Sequence, residues 1–421
     1  MKLEPYWWEA APLRDLPGRP IKPSCDVAVI GGGYAGLHAA LGLAMAGRSV
    51  QIFDKERPGF GGSSRNGGIV SGTTKFKLNE LIASHGLDAA KALFQEGLDA
   101  ENWLRRFIEG HKIACKYTRS GRFVGAYRPA DYDLLAREAE TINKHFARDV
   151  RVVPKSEQHT EVGTDFYHGG ISTDDVCGLH PALYHAGLMD CALDAGVAVH
   201  GECPVLGFHR DGDRIEVETA QGTVRTRDLV VATNAYTDKN LPWLRRRLVP
   251  AASQIIATEP LTKGVLDRLM PKKRMLVDTR IMFPYYRPSP DHTRIVFGGR
   301  AGAWSDDPTV KAKALQRDLV SIFPELSETT LTHVWWGYVA FPFDRRPKLA
   351  HVDGIHYATG FCGSGTVWAS WFGNLAARRI IEEGPVTTAL GADPFESRPL
   401  YWGWPWFLPF ILGWYRLRDA L

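Results

Sequence analysis

The pattern of apolar residues near the N-terminus predicts a strand, a helix and a second strand in close succession. Residues 27–30 (VAVI) form an unbroken apolar run, which is typical of a parallel strand buried on both faces. Leu37 and Leu41 continue the apolar pattern at helical spacing. A second apolar run, Val50–Phe53, ends on the acid Asp54. This order predicts a βαβ unit with two neighbouring parallel strands.

The rest of the chain mixes the helical and strand periodicities. Helical spacing predicts helices over residues 77–112, 132–146, 181–195 and 310–323. Short apolar or alternating runs predict strands at residues 122–127, 197–199, 205–209, 214–219, 223–226 and 228–233. Between residues 250 and 300 we expect further strands, including a hairpin of residues 282–287 and 294–299. Residues 355–381 are typical of a strand, a glycine loop and a helix.

Three glycines stand between the first predicted strand and its helix. Gly31, Gly33 and Gly36 form a G-x-G-x-x-G motif. In such a motif the first glycine allows a tight turn, the second lets the backbone approach a pyrophosphate, and the third lets helix and strand pack closely. Asp54 stands where an acid accepts hydrogen bonds from adenosine ribose hydroxyls, which argues against a 2′-phosphate. Together these features predict a bound dinucleotide.

Composition excludes several classes of protein. The 421 residues are 44% hydrophobic, and the net charge of +4 provides no broad positive field for nucleic acid. The six cysteines form no C-x-x-C pair and the histidines form no metal-binding motif, so we expect a cytoplasmic protein without a metal site. No stretch approaches the ~20 apolar residues of a membrane-spanning helix, and the N-terminus lacks the apolar core of a signal peptide.

Two further glycine-rich loops favour a flavin over a nicotinamide cofactor. Residues 59–72 read GFGGSSRNGGIVSG, which is too long and too rich in glycine for a simple connection. The polar residues 63–66 offer donors for pyrophosphate oxygens and for a flavin edge. Residues 360–366 read GFCGSGT and again place a glycine loop before a helix. The N-terminus of that helix would stabilise the negative charge of a reduced flavin.

Six segments of the chain resemble one known family. They read CDVAVIGGGYAGLHAALGLAMAG, GFGGSSRNGGIVSG, SGRFVGAY, GLHPALYHAGLMDCALDAGVAVHGECPV, LVVATNAYTDKNLP and YATGFCGSG. In this order and spacing, which covers most of residues 25–380, the chain resembles the FAD-dependent amine and amino-acid oxidoreductases of the D-amino-acid oxidase and glycine oxidase superfamily. Within that superfamily it is most similar to the gamma-glutamylputrescine oxidases.

The resemblance implies a mixed α/β fold, in which a Rossmann-like FAD-binding domain is interleaved with a substrate domain built on a large mixed or antiparallel sheet. Residues 1–85, 150–248 and 335–385 would form the FAD-binding domain. Residues 86–149 and 249–334 would form the substrate domain, and residues 386–421 an aromatic C-terminal tail. The implied activity is oxidation of the C–N bond of an amine by hydride transfer to flavin N5, with hydrolysis of the imine to an aldehyde. The electron acceptor would be oxygen, a quinone or a protein.

The resemblance also implies which residues bind FAD. They belong to the pyrophosphate turn, the ribose acid, the flavin-side loop, an adenine contact, a second pyrophosphate loop and the C-terminal flavin loop. In chain order they are Gly31, Gly33, Tyr34, Ala35, Gly36, Asp54, Lys55, Gly62, Ser63, Ser64, Arg65, Asn66, Gly67, Gly68, Val205, Thr233, Asn234, Gly360, Gly363, Ser364, Gly365 and Thr366.

Two departures from the family pattern bear on the chemistry. Relatives that oxidise α-amino acids hold the substrate carboxylate with basic residues, and Ile69, Val70 and Val367 stand at those places here. An unpaired carboxylate in a closed site is costly, so an amine without an α-carboxylate is favoured. Sarcosine-type oxidases place a lysine near flavin N5, where this chain aligns Arg294 or Arg300. Oxygen is therefore expected to be a poor electron acceptor.

Five residues are candidates for contact with the substrate: Tyr285, Tyr286, Arg300, Trp336 and Phe361. Aromatic side chains suit an amine through cation–π attraction and through exclusion of water. Neighbouring residues on a strand point to opposite faces, so at most one of Tyr285 and Tyr286 can line the site. Core packing is the competing explanation for each aromatic residue. Hydride transfer from a neutral amine needs no dedicated base, so we name no catalytic residue.

The tail, residues 402–415, is rich in tryptophan and is followed by Arg416 and Arg418. This composition suits either docking on the protein's own surface or contact with a membrane surface. We expect docking, because prolines break the apolar pattern that an interfacial helix needs.

Three other functions stay open. The chain could oxidise an α-amino acid or an N-methyl amino acid if Arg122, Arg287 or Arg300 replaced the family's carboxylate-binding residues. It could modify tRNA, although its modest charge offers little support. It could also be a non-catalytic FAD-binding scaffold.

The first testable prediction concerns the attachment of FAD. Several relatives bind FAD covalently through a cysteine before the last strand, whereas residues 335–347 contain none. Acid precipitation of the purified yellow protein should therefore release intact FAD into the supernatant. Flavin absorbance in the washed pellet would contradict the prediction.

Overall fold

The computed structural model describes residues 1–16, 20–76, 78–146, 148–300, 307–390 and 395–421. Within these residues the chain forms two eight-stranded sheets and a small three-stranded sheet. The strands are β1 (Ser24–Ile30), β2 (Val50–Phe53), β3 (Ile69–Val70), β4 (Thr118–Arg119), β5 (Arg122–Gly125), β6 (Arg151–Val153), β7 (Gly170–Thr173), β8 (Cys177–Gly178), β9 (Ala198–His200), β10 (Val205–Asp211), β11 (Arg214–Thr219), β12 (Gly222–Val231), β13 (Leu248–Thr258), β14 (Met275–Asp278), β15 (Tyr285–Pro288), β16 (Ile295–Gly299), β17 (Leu331–Pro342), β18 (Lys348–Val352) and β19 (Ile355–Thr359). The α-helices are α1 (Tyr34–Met45), α2 (Gly62–Arg65), α3 (Leu78–Gly110), α4 (Pro129–His145), α5 (Pro181–Asp194), α6 (Pro242–Arg245), α7 (Lys263–Leu269), α8 (Pro308–Ile322), α9 (Gly365–Ile381) and α10 (Leu408–Ala420).

The first sheet carries the predicted βαβ unit. Its strand order is β10-β11-β12-β1-β2-β9, with β19 paired to the second half of β12 and β18 paired to β19. Strands β1, β2, β9, β12 and β19 run parallel. Ile30 pairs with both Phe53 and Val231, so three parallel strands end side by side. The carboxyl ends of such strands are the usual ligand-binding edge of an open α/β sheet.

The second sheet has the order β17-β13-β16-β15-β14-β5-β7-β6, and its neighbouring strands are antiparallel except for β5 and β14. One face packs against α7 and α8 in a buried apolar core. Its strand residues there include Phe123, Ile256, Leu276, Tyr286, Phe297 and Val334. Because successive side chains of a strand alternate between faces, their chain neighbours point to the opposite face.

Helix α1 packs closely against both β1 and α9 through glycines. A Cβ atom on Gly36 would overlap the carbonyl oxygen of Gly31 at the end of β1. A Cβ on Gly373 of α9 would overlap the carbonyl oxygen of Ala35. The loops that precede α1 and α9 are therefore held on the same side of the first sheet.

The observed architecture confirms the predicted mixed α/β fold class, and the main predicted helices and strands are present. The strands predicted at residues 223–226 and 228–233 form one strand, β12. The hairpin begins at Tyr285 instead of residue 282, because turns occupy residues 279–282. The long helix α3 breaks at Gly86, whose φ of 82° is not helical; residue 77, its predicted start, lies outside the described residues.

The strand pairing in the two sheets differs from the predicted domain boundaries at two places. Strands β6 and β7 belong to the second sheet because β7 pairs with β5, although residues 150–173 were assigned to the FAD-binding domain. Strand β17 also belongs there, because it pairs with β13 along its length, although residues 335–342 were assigned to the FAD-binding domain. The other boundaries stay a prediction.

The C-terminal tail is anchored on the protein's own surface, but its tryptophans lie outside the anchor. The buried hydroxyl of Tyr401 donates to the carbonyl oxygen of Leu248 at 2.6 Å. The Asp419 carboxylate accepts from the amides of Ile281 and Met282, each at 2.8 Å. The exposed aromatic residues between these anchors are Trp402, Trp404, Trp406, Phe410 and Trp414. No helix within the described residues is both long and apolar enough to cross a membrane.

This arrangement predicts unequal contributions of the tail aromatics to stability. Tyr401→Ala should destabilise the fold by about 3 kcal/mol, because it removes a buried ring and its hydrogen bond, and should lower the melting temperature. Trp404→Ala is the matched control, since Trp404 is 71% exposed and its removal should leave the melting temperature unchanged. Equal melting temperatures of both variants and the parent would show that Tyr401 does not anchor the tail.

Candidate active site

A cavity of about 610 Å³ is lined by residues of both large sheets, and its volume suits a small-molecule or cofactor site. The first sheet contributes the carboxyl ends of β1 and β2. The second sheet contributes the face opposite its apolar core, including Val124, Val277 and Tyr285. Two glycine-rich loops, residues 59–67 and 361–366, complete the walls.

The turn between β1 and α1 shows why each motif glycine is needed. Gly31 has a φ of 106°, a conformation that favours glycine, and its N–H donates to the carbonyl oxygen of Phe53 at 2.9 Å. Gly36 allows α1 to approach β1, as described above. Gly33 lines the cavity, and a Cβ there would lie 2.8 Å from Oγ of Ser63. The N-terminus of α1 therefore opens onto the cavity without a side chain at Gly33, which suits an anion such as phosphate.

Asp54 lies at the carboxyl end of β2 and lines the cavity. One carboxylate oxygen accepts from the amide of Gly32 at 2.8 Å and the other from the amide of Glu56 at 3.0 Å. Burial raises the pKa of this carboxyl group, and the two amide donors oppose that rise. The amides thus fix the orientation of a partly buried acceptor.

The loop of residues 59–67 is held by three indole N–H groups from distant parts of the chain. The hydrogen bonds, 2.8–2.9 Å long, join Trp7 to the carbonyl of Asn66, Trp8 to Oγ of Ser64 and Trp335 to the carbonyl of Arg65. The Oγ of Ser63 accepts from the amide of Tyr34 at 3.0 Å, which joins this loop to the start of α1.

The loop before α9 has an unusual backbone. Gly360, Cys362 and Gly363 all have positive φ values, of 73°, 52° and 96°. The side-chain oxygen of Asn234 accepts from the amide of Gly360 at 2.9 Å, which ties this loop to the end of β12. The first residues of α9 then face the cavity, and the amides of a first helical turn lack acceptors within the helix.

Residues 26–379 match the family DAO, described as FAD dependent oxidoreductase. The chain belongs to the DAO family of FAD-dependent oxidoreductases. It is 29% identical to the gamma-glutamylputrescine oxidoreductase of Escherichia coli K12 over 406 residues, which cover 94% of this chain and 93% of that one. It is also 29% identical to the probable oxidoreductase OrdL of Haemophilus influenzae over 362 residues, 85% of this chain and 83% of the other.

Solved structures share the fold. Glycine oxidase from Geobacillus kaustophilus superposes with a TM-score of 0.74 over 90% of this chain and 99% of its own, at 18% identity. Iminodiacetate oxidase from Chelativorans sp. BNC1 gives a TM-score of 0.68 over 87% of this chain and 97% of its own, at 20% identity. The shared fold thus covers about nine-tenths of this chain.

Most residues predicted to bind FAD line the cavity. Those that do are Gly31, Gly33, Tyr34, Ala35, Asp54, Lys55, Gly62, Ser63, Arg65, Asn66, Gly67, Val205, Thr233, Asn234, Gly363, Ser364, Gly365 and Thr366. The other four, Gly36, Ser64, Gly68 and Gly360, lie behind the surface and shape it. Gly68, for example, accepts from Arg287 and Leu179 through its carbonyl oxygen. The lining thus offers backbone groups and a carboxylate, which fit the polar parts of an FAD molecule.

Three of the five predicted substrate residues lie at the cavity. Tyr285, Arg300 and Phe361 line the cavity, whereas Tyr286 and Trp336 do not. Tyr286 points into the apolar core and its hydroxyl lies 2.9 Å from that of Tyr167. Trp335 is buried and donates to the carbonyl of Arg65 in the loop of residues 59–67. Its neighbour Trp336 therefore points to the opposite face of β17, away from the cavity. The expectations for Tyr286 and Trp336 are therefore wrong, and alternation along a strand is the reason.

The candidate basic residues, and the apolar residues that stand in place of the family's carboxylate-binding residues, also differ in whether they line the cavity. Arg294 donates to the carbonyl of Thr258 at 2.7 Å and does not line the cavity, so its expected place near the flavin is wrong. Arg287 is held by backbone carbonyls and does not line the cavity either. Ile69 lines the cavity, but Val70 and Val367 are buried away from it.

The cavity also contains residues that the sequence did not single out. They include Lys75, Glu138, Ser253, Phe283 and Tyr338. Lys75 follows the first flavin loop by only three residues, which was the available signal. Burial lowers the pKa of Lys75 to about 8, and burial raises the pKa of the Cys362 thiol to about 12. Cys362 is thus a protonated thiol at neutral pH. Lys75 lies at the loop before α9, whereas the resemblance puts an arginine, Arg294 or Arg300, at the place of the family's lysine.

The turn before α1 gives a direct test of the cofactor site. Gly33→Val should place a branched side chain against Ser63 and into the cavity, so the variant should fold without bound FAD or fail to fold. Gly110→Ala is the control, because a Cβ there meets no atom within 4 Å. Flavin absorbance per mole of protein and circular dichroism separate the outcomes. Full FAD occupancy in folded Gly33→Val would show that this turn does not face the phosphates.

Proposed function

We propose that the chain oxidises a C–N bond of an amine whose reacting carbon carries no carboxylate. The observation that carries this proposal is the continuity of one cavity. It extends from the glycine turn and Asp54 at the first sheet to an aromatic wall on the second sheet. A cofactor held by the first region would present its reactive end to a substrate held by the second.

The residues that hold FAD in this proposal are those of the glycine turns. The amides at the start of α1 bind the pyrophosphate, Asp54 accepts from the ribose hydroxyls, and Val205 lies at the adenine. The loop of residues 62–67 and the loop of residues 363–366 hold the ring system. The N-terminus of α9 stabilises negative charge there through its free amides. FAD supplies the hydride acceptor.

The second sheet binds and orients the amine. The ring of Tyr285 contacts Gly67 of the flavin-side loop, since a Cβ on Gly67 would lie 2.9 Å from Cε2 of Tyr285. The Tyr285 hydroxyl is fixed at 3.0 Å from Oγ of Ser253. Phe361 and Ile69 add apolar surface at the two loops. Such surroundings exclude water and favour the neutral amine, the form that can lose hydride from the adjacent carbon.

Similarity supports a gamma-glutamylated amine as substrate. The relative from Escherichia coli is named for gamma-glutamylputrescine and matches over nearly the full length of both chains. The competing candidate is an α-amino acid, because glycine oxidase of Pseudomonas aeruginosa is 25% identical over 82% of this chain and 91% of its own. Ile69 lines the cavity directly after the flavin-side loop. Because this apolar side chain cannot pair with a carboxylate, it favours the first candidate.

Anaerobic reduction of the flavin tests the proposal. Gamma-glutamylputrescine and putrescine should bleach the flavin absorbance at least about tenfold faster than glycine and D-alanine, in which the only carbon attached to nitrogen carries a carboxylate. Faster bleaching by glycine or D-alanine than by every amine without an α-carboxylate would overturn the proposal. Bleaching by none of these compounds would support a scaffold instead.

A further inference from the structure

Helix α10 turns an apolar face to solvent. Phe410, Trp414 and Leu417 follow one another at the spacing of one helix face, and each of them is more than half exposed. Every residue of α10 is at least partly exposed. A surface helix ordinarily packs its apolar stripe on the core and presents polar residues to water. The side chains of α10 are therefore arranged for an apolar contact outside this fold.

The opposite face of α10 holds the helix on the protein. Asp419 accepts from two backbone amides of residues 281–282, and Tyr415, one turn earlier on the same face, is partly buried. Arg128 donates to the carbonyl oxygens of Arg418 and Asp419, each at 2.8 Å. These contacts fix the orientation of the helix. The exposed stripe therefore belongs to a helix that is already attached to the protein by its other face.

The loop before α10 extends the exposed apolar surface. Trp402, Trp404 and Trp406 alternate with other residues, and the four tryptophans of the tail are each 55–71% exposed. The ring of Phe407, at the start of α10, lies 5.6 Å from that of Trp406, which joins loop and helix. Within the described residues, nine of the nineteen large apolar side chains that are exposed belong to residues 400–421, so the exposure is concentrated in one place.

We call this surface the tail face and define it by Trp402, Trp404, Trp406, Phe410, Trp414 and Leu417. Apolar side chains exposed singly are ordinary on a protein surface. A contiguous apolar surface of this kind marks a site of contact with another molecule or with a membrane.

Arginines border the tail face. The tail, residues 395–421, and the segment that anchors it, residues 242–250, together contain six arginines and two acidic residues. The guanidinium carbon of Arg246 lies 4.4 Å from the ring centre of Trp402. Arg418 of α10 is exposed. The surface thus combines exposed aromatic rings with an excess of positive charge.

We infer that the tail face binds the surface of a membrane that contains anionic lipids. Tryptophan is enriched at membrane–water interfaces, and arginines beside it attract anionic headgroups. Helix α10 has 13 residues and is about 20 Å long, whereas the hydrocarbon core of a bilayer is about 30 Å thick. The helix would therefore lie along the membrane surface, with its apolar stripe toward the acyl chains.

A second copy of this chain is the competing occupant of the tail face. In a symmetric dimer the same surface of each copy meets, so the arginines of one copy would lie against those of the other. Like charges at short distance repel, and two acidic residues on each copy cannot balance six arginines. Anionic headgroups would instead be attracted by the same arginines. The charge of the tail face therefore favours a membrane.

The prolines of the tail leave the stripe intact. The sequence predicted that prolines would break the apolar pattern of an interfacial helix. Pro405 precedes α10, and Pro409 occupies its first turn, where proline is tolerated. From Phe410 onwards the helix contains no proline. The physical reason for excluding an interfacial helix is therefore absent.

Co-sedimentation of the FAD-loaded enzyme with lipid vesicles tests the inference. The enzyme should bind vesicles of equal parts phosphatidylglycerol and phosphatidylcholine at least about tenfold more tightly than vesicles of phosphatidylcholine alone, because several arginines meet the anionic surface. Raising the NaCl concentration from about 0.1 to about 0.5 M should weaken the first interaction, since salt screens exposed charges.

Variants assign the binding to the tail face. Trp404→Ala combined with Trp414→Ala should weaken binding to the anionic vesicles at least about tenfold, because two rings that would enter the interface are lost. Flavin content and melting temperature should stay unchanged, since both side chains are exposed. Met45→Ala is the matched control, because Met45 is 68% exposed at the C-terminal end of α1 and outside the tail face.

A second pair of variants tests the charge. Arg418→Gln should weaken binding to the anionic vesicles about fivefold, which corresponds to one arginine near the membrane surface. Arg106→Gln removes an exposed arginine from α3 and should bind as the parent does.

Fluorescence quenching gives a readout on the unmodified enzyme. Lipids brominated on their acyl chains should quench part of the tryptophan fluorescence of the bound enzyme. The quenched part should be smaller in the double tryptophan variant. The chain has nine further tryptophans outside the tail, whose fluorescence serves as an internal reference.

Failure of the parent enzyme to bind anionic vesicles would overturn the inference, and so would equal binding by the parent and the double variant, or an equal loss in Met45→Ala. If the double variant does not fold, Trp404→Ala alone and quenching of the parent decide the outcome. A dimer that the double variant converts to a monomer in analytical ultracentrifugation, without vesicle binding by the parent, would make the tail face an interface between copies. None of these outcomes depends on which amine reduces the flavin.

Discussion

The close packing of helix α1 between the first sheet and α9 is the constraint on which the rest of the site depends. Side chains at Gly36 or Gly373 would collide with backbone carbonyl groups, so the two helices and β1 can approach only with glycine at these contacts. That approach brings the turn before α1 and the loop before α9 to one cavity. If the two helices were further apart by the width of a side chain, the two loops could not both contact one cofactor molecule.

The second constraint is alternation along the strands of the second sheet. Strands β5, β13, β14, β15, β16 and β17 each give one set of residues to the apolar core on the α8 side and another set to the cavity. A single sheet therefore forms both an apolar core and a cavity wall, and the neighbouring residues Tyr285 and Tyr286 belong to different ones of these. Gly298 shows how closely the two are joined, because its missing side chain leaves the space that the Tyr285 ring occupies.

The dinucleotide half of the fold could be predicted from sequence because its signals are local. Strand, glycines, helix and acid occur within 30 residues, and the turn and Asp54 lie as that pattern requires. The cavity wall on the second sheet could not be predicted in the same way. Arg122 is placed by the pairing of β5 with β14, more than 150 residues later, and no local pattern reports such a contact. Sequence reasoning could state that one of Tyr285 and Tyr286 faces the site, but only the strand register identifies Tyr285.

The C-terminal helix touches the segments that form this wall. Asp419 binds the amides of Ile281 and Met282, immediately before the cavity residue Phe283, and Arg416 donates to the carbonyl oxygen of Arg300 at 3.0 Å. An affinity tag or fusion partner joined after Leu421 would begin three residues beyond Asp419. For production and immobilisation of this enzyme the C-terminus is therefore the unsuitable end, because a load applied there acts directly on the cavity wall.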